Sequence, residues 1–194
     1  MWRWMAAKVA RLPELERVFV FGSELWQVAS ADSDIDVALM PRADSISMRS
    51  RRAVLTELIR ILTTAHSEEY CLDSEHLSLL QASYPIVRVL HRHSRLSMDI
   101  SVADRWCVPT NQLILDRLRA AQSSGVSVHS LLMCVKLWSK RRSINDAYRR
   151  YLNSFAYTLM LLAYLEWQRM RSKEETLGLA PLLRGFFCIL RRNI

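Results

Sequence analysis

Phe21-Gly22-Ser23, ten further residues, and then Asp34-Ile35-Asp36-Val37-Ala38-Leu39-Met40 form the stretch on which the reading of this 194-residue chain turns. The apolar run Val18 to Phe21 reads as a short strand that stops at the Gly-Ser pair. Ile35 to Met40 reads as a second strand, ended by Pro41. Side chains two apart on a strand share a face, so Asp34 and Asp36 project together while Ile35 and Val37 point into a core. Two carboxylates side by side repel each other unless a cation lies between them. Hard oxygen ligands suit Mg²⁺, which commonly combines a few carboxylates with phosphate oxygens and water; Mn²⁺ is its substitute here.

Working outward, the segment Ser50 to Ala65 carries Val54, Leu55, Leu58, Ile59 and Leu62 at helical spacing, which predicts an amphipathic helix. Two β-rich runs follow, Ile86 to Leu90 and Leu96 to Val102, separated by the polar stretch His91 to Arg95, which reads as a hairpin turn. In the second run Ser97, Asp99 and Ser101 share one face, and Met98, Ile100 and Val102 share the other. Asp99 is therefore the candidate third carboxylate. If its strand neighbours that of Asp36, the three acids can hold two metal ions about 3.5 to 4 Å apart, one activating a 3′-hydroxyl and one bracing a leaving pyrophosphate. Gly22 lets the backbone approach a triphosphate, and Ser23 with the amides after it binds the terminal oxygens. A lone Gly-Ser or Asp-x-Asp is common and says little. The ordered combination carries the reading, with Asp32 taken as a turn residue.

From Asn111 onward the pattern becomes helical, around Leu113 to Ala121, Val128 to Arg141 and Ser154 to Met170, and no element is assigned after that. Before the first strand, Trp4 to Leu12 reads as a helix covering the sheet. The expected organisation is α+β: an α/β unit over residues 1–110 and a helical unit over 111–194. Lys136 and Lys140 are spaced i, i+4 and share a helix face, so both can point toward a triphosphate. Trp138 lies off that face and is expected in the helical core.

Composition narrows the function classes. A net charge of +8 and the runs Lys140-Arg141-Arg142, Arg149-Arg150 and Arg191-Arg192 suit an anionic partner, although such runs are often only solvated helix faces. With 51% apolar residues, four Gly and five Pro, low-complexity character is excluded. The four cysteines form no CxxC pair, which argues against a zinc ribbon or disulfide framework and for reduced, mostly buried thiols. The longest apolar stretch, Ala156 to Leu165, falls short of the ~20 residues that span a bilayer, so no membrane span is expected. His91 and His93 lack a third ligand in view and read as surface histidines. Trp2 and Trp4 read as core or interface. The chain is expected to be intracellular, cytoplasmic by default, with the acid-poor start (Arg3, Lys8 and Arg11 before Glu14) leaving a mitochondrial alternative.

The first block of motifs is joined by a second: Asn111, then Val135-Lys136-Leu137-Trp138-Ser139-Lys140-Arg141-Arg142-Ser143-Ile144-Asn145-Asp146, then Leu152-Asn153-Ser154-Phe155-Ala156-Tyr157-Thr158-Leu159-Met160. Together they resemble the nucleotidyltransferases of the DNA polymerase beta superfamily, more closely the terminal uridylyltransferase and cytoplasmic-type poly(A) polymerase branch, from about Val18 to about Leu165. The resemblance implies a nucleotidyltransferase palm, a small mixed sheet with flanking helices, followed by a partial helical nucleotide-binding domain. It implies template-independent addition to an RNA 3′ end by two-metal phosphoryl transfer, with UTP favoured over ATP and a protein complex as a further partner. By resemblance Asn111 bonds the ribose 2′-hydroxyl, Lys136 and Lys140 bind the triphosphate, Ser154 helps bind the nucleotide, and Phe155 stacks on its base. Phe155 stands where the family usually has tyrosine, keeping the ring face but lacking the phenolic hydroxyl. Family members continue the helical domain further, with a later strand and loop that tell uracil from adenine, so this unit is expected to be truncated relative to them. A poly(A) polymerase, a small-molecule nucleotidyltransferase and an inactive scaffold subunit are the competing readings.

Overall fold

Alternating apolar residues in the N-terminal half become five strands: β1 (Leu15–Phe21), β2 (Ile35–Pro41), β3 (Tyr70–Leu72), β4 (Ile86–His91) and β5 (Ser97–Val102). They form one sheet of order β1-β2-β5-β4-β3, in which β2 and β5 run parallel and the other pairs antiparallel. A computed structural model of the chain describes residues 15–31, 33–43, 46–72, 80–81, 84–122, 127–146, 149–171 and 178–193; the helix expected over Trp4 to Leu12, and Asp32, lie outside them. Two compact units are present, Met1–Gln112 and Leu113–Ile194.

In the first unit α1 (Met48–Ala65) lies on one face of the sheet. Its stripe of Val54, Leu55, Leu58 and Leu62 packs with Val37 and Leu39 of β2, Val87 and Val89 of β4, and Met98, Ile100 and Val102 of β5. Each such side chain withdrawn from water contributes about 1.5 to 3 kcal/mol, which makes this layer the anchor of the sheet. The helix begins at Ser47, whose hydroxyl accepts from the Ser50 amide at 3.1 Å and satisfies one orphan donor. The opposite face is thinner, with Ala38, Met40 and Ala103 under Phe19, Phe21 and the Cys107 and Val108 side chains of α2 (Cys107–Gln122). That helix starts earlier than its apolar spacing suggests. Asp104 explains the difference: its carboxylate accepts the Trp106 amide at 2.9 Å and its carbonyl the Cys107 amide, and Pro109 is tolerated in the first turn.

The β4–β5 turn is the expected hairpin. His91 donates its amide to the Leu96 carbonyl at 2.9 Å, and Arg95 takes the left-handed conformation at φ 59°. His91 and His93 stack edge to face there, and His91 Nδ1 bonds the Ser94 hydroxyl at 2.7 Å. Two elements were not foreseen: β3, a three-residue strand pairing with β4, and α5 below.

The second unit contains α3 (Val128–Arg141), α4 (Ser154–Arg171) and α5 (Leu179–Asn193). Its buried side chains include Leu131, Leu132 and Val135 of α3, Tyr157, Leu161 and Tyr164 of α4, and Leu182, Phe186 and Leu190 of α5. Trp138 packs as expected, its ring 4.7 Å from that of Phe187 and edge-on to Tyr157 at 6.1 Å. The cysteines are all free, but three are half-buried and Cys188 is exposed, so the thiols lie nearer the surface than their usual preference for burial suggests. Among the described residues no helix is long and apolar enough to cross a membrane.

Candidate active site

Four neighbouring strands contribute one residue each to a single row across the sheet: Phe21 of β1 opposite Asp36 of β2, Asp36 opposite Asp99 of β5, and Asp99 opposite Arg88 of β4. The parallel pairing of β2 with β5 brings Asp36 and Asp99 into register, so the strand adjacency that the sequence left conditional is present. Asp34 immediately precedes β2, and its Oδ2 lies 4.0 Å from Arg88 Nη2. The Arg88 guanidinium makes a forked pair with Asp99, Nε donating to Oδ1 and Nη2 to Oδ2, both at 2.7 Å. Such bidentate pairs combine charge with fixed geometry. Asp99 is only 17% exposed, so solvent screens the pair weakly.

Arg88 was absent from the candidates read off the sequence. Its signal was a charged residue in the middle of Ile86-Val87-Arg88-Val89-Leu90, but its partner becomes visible only once the β4–β5 register is known.

The loop after β1 is fixed by two features. Gly22 has φ +68°, and a Cβ built on it would collide with the Asp36 carboxylate, so glycine is required both for the turn and for the close approach. Its buried amide donates to Asn111 Oδ1 at 3.1 Å, while Asn111 Nδ2 donates to the Cys107 carbonyl at 2.8 Å. Asn111, itself buried, thus braces the Gly-Ser turn against the first turns of α2. Ser23 is half-buried, and its carbonyl accepts the Val28 amide at 2.9 Å. Asp36 also acts at a distance: the Cys107 thiol is pushed up to about 11, chiefly by burial and then by the charges of Asp104 and Asp36.

The remaining candidates belong to the second unit. Lys136 and Lys140 sit one turn apart on α3, the first half-buried and the second exposed. Ser154 and Phe155 open α4, both half-buried. Asn153 caps that helix, its Oδ1 accepting the Ala156 amide at 2.9 Å. Asn145 donates to the Ser154 hydroxyl at 2.8 Å, and the Tyr157 hydroxyl donates to the Ile144 carbonyl at 3.1 Å. The loop leaving α3 is thereby tied to the start of α4. The structure therefore gathers Gly22, Asp34, Asp36, Asp99 and Asn111 in one unit, and Lys136, Lys140, Ser154 and Phe155 in the other.

Among the described residues no three His, Cys, Asp or Glu side chains converge as a ready-made metal cage. A magnesium ion does not need one, since it is held through one or two carboxylates together with substrate phosphates and water. The in-register pair Asp36 and Asp99, all-oxygen and next to Asp34, fits that requirement, and the guanidinium beside Asp99 and Asp34 shows that these acids accept a cation.

Comparison with known proteins agrees with the fold. A family model described as "Poly(A) RNA polymerase, mitochondrial-like, central palm domain" matches residues 3–115. Poly(A) RNA polymerase GLD2 of Rattus norvegicus is 29% identical over 154 residues, covering 77% of this chain and 30% of that protein. Terminal uridylyl transferase 4 from Trypanosoma brucei with bound dUTP superposes with TM-score 0.67 at 19% identity, covering 88% of this chain and 53% of the other. A GLD-2/RNP-8 complex superposes with TM-score 0.66 at 23% identity, covering 84% and 48%. The chain thus spans 30% of the length of that Rattus norvegicus protein and 13% of its Caenorhabditis elegans counterpart.

Proposed function

The chain belongs to the mitochondrial-like poly(A) RNA polymerase family through its central palm domain, and on that premise we propose that it adds nucleotides to RNA 3′-hydroxyls without a template, taking ATP as donor. The observation that carries this reading is the register of Asp36 against Asp99, two carboxylates side by side at the edge of a glycine turn. ATP stands ahead of the UTP suggested by sequence because the sequence relatives at 29% identity are poly(A) RNA polymerases. UTP is the second reading, favoured by the fold likeness to a uridylyl transferase solved with dUTP. In this reading residues 1–110 are the palm and 111–194 the helical nucleotide-binding domain.

Asp36 and Asp99, with Asp34 beside them, would hold Mg²⁺, or Mn²⁺ in its place. Divalent ions bound there would supply two-metal chemistry, one lowering the pKa of the attacking 3′-hydroxyl and one neutralising charge on the leaving pyrophosphate. The chain's own groups orient the reactants. Gly22 lets the turn lie directly against the Asp36 carboxylate, where any side chain would collide with it, and so keeps the backbone of the Gly-Ser turn beside the acids. Lys136 and Lys140 supply positive charge to the triphosphate, and Phe155 offers a ring face to the base. Ser154 accepts from Asn145, which leaves its O–H to donate to the nucleotide.

The test is extension of a short RNA in Mg²⁺ with each of the four ribonucleotides. ATP-dependent extension that is lost in Asp36→Ala and Asp99→Ala is the expected result. Substantial extension by either variant would remove the carboxylates from their role, and a strong preference for UTP would promote the second reading.

A further inference from the structure

Arginine is an unusual occupant of an inner strand of a sheet. Arg88 lies on β4 between the buried Val87 and Val89, paired with Asp99 of β5 on one side and one residue past the end of the β3 pairing on the other. Its own side chain points to the face of Asp36 and Asp99, where it meets both oxygens of Asp99 and comes within reach of Asp34. A guanidinium stays charged at every pH the protein experiences, so this is a permanent positive charge set among acids.

We propose that Arg88 is the resident counter-cation of the carboxylate site, and that a divalent cation engages Asp99 only by displacing it. The inference rests on the reading of Asp36 and Asp99 as the metal-holding pair. Three observations lead to it. Both Asp99 oxygens already accept from the arginine fork at 2.7 Å, so an arriving metal competes for the same atoms. The pair is weakly exposed, so two cations on one carboxylate would repel with little screening. Asp34 shares the same guanidinium, so the arginine relieves repulsion between the acids before any metal arrives. Occupation is then an exchange of one cation for another, and Arg88 sets the metal affinity of the site as well as holding the metal-free acids together.

The experiment measures metal binding rather than turnover. Mn²⁺ is titrated into the full chain and followed by electron paramagnetic resonance, comparing the wild type with Arg88→Met, which keeps the apolar stem, and Arg88→Lys, which keeps the charge but loses the fork. Arg88→Met is expected to bind Mn²⁺ on the order of tenfold more tightly than the wild type, with Arg88→Lys between them. Thermal unfolding is expected to show Arg88→Met less stable without metal and rescued by Mg²⁺ to a greater degree than the wild type. Unchanged or weaker Mn²⁺ binding in Arg88→Met overturns the proposal while leaving the metal reading intact. Absence of Mn²⁺ binding in every form removes the metal reading and this inference with it.

A second measurement does without Arg88→Met, in case that variant does not fold, and reads the wild type. The side-chain Nε–H resonance of Arg88, assigned by its loss in Arg88→Lys, is expected to be protected from solvent in metal-free protein and to lose that protection at saturating Mg²⁺. Persistence of the protected resonance in metal-saturated protein overturns the proposal.

Discussion

At the scale of the residue, Asn111 braces the Gly22 turn to α2, and Asn111→Ala, which leaves the buried Gly22 amide without its acceptor, is expected to cost about 1 to 3 kcal/mol in urea unfolding. Alternation was enough to put Asp36 and Asp99 on the face of the sheet away from α1, because the period of two fixes each face independently of partner, and Asp34 stands just ahead of β2. For Asn111 the sequence supplied a role only by resemblance, a bond to a ribose hydroxyl, while its brace between Gly22 and α2 shows only in the fold. Gly22→Ala forces a left-handed backbone onto alanine and drives a methyl into Asp36, at a cost on the order of 1 to 3 kcal/mol, and should also lower RNA extension. Among the thiols, Cys107 is raised from its ordinary 9.0 to about 11 and stays protonated well into alkaline solution. Iodoacetamide at pH 9 followed by mass spectrometry should therefore label the exposed Cys188 before Cys107. Because the folded value lies above the unfolded one, the protonated thiol's contribution to stability is full below about pH 9 and is lost as pH rises toward 11.

At the scale of the element, long periodic segments were read almost to the residue, as with α3, whose expected and observed bounds coincide. The failures have separate causes. β3 is three residues long, too short to show a period, and exists because β4 offers it an edge. In α5, Pro181 and Gly185 resemble loop punctuation, yet Leu182, Phe186 and Leu190 recur at intervals of four and are buried. Pro181 sits in the first turn, where its missing amide costs nothing. Gly185 is demanded by packing, because a Cβ there would meet the Tyr164 hydroxyl, which is itself bonded to Gln168 at 2.8 Å. Gly185→Ala should gain helix propensity and still destabilise, by about 1 to 3 kcal/mol through overpacking, and a rise in Tm would show that Tyr164 yields freely. On the sheet, Ile100→Ala opens a cavity under α1 and is expected to cost about 2 to 5 kcal/mol by chemical denaturation.

At the scale of the whole molecule, the net charge of +8 is a statement about partners and about salt. If RNA is the acceptor, log affinity should fall linearly with log salt, with a slope of roughly −0.7 per neutralised phosphate on a single strand; binding that ignores ionic strength would point away from nucleic acid. The class of fold was legible because a β-rich half gives way to a helical half, but the order of strands was not, since alternation carries no information about which strand lies beside which. That order has a consequence for how the chain acquires its site. β2 and β5 are adjacent in the sheet yet separated in the chain by α1, β3 and β4, and parallel strands cannot be joined by a tight turn. Closing that long loop precedes any reward from the pairing, so folding should be slowed by this contact more than by the local β4–β5 hairpin. During synthesis Asp36 emerges long before Asp99, and the nascent chain carries half of its carboxylate pair, with no means of assembling the rest, until the last strand has left the ribosome.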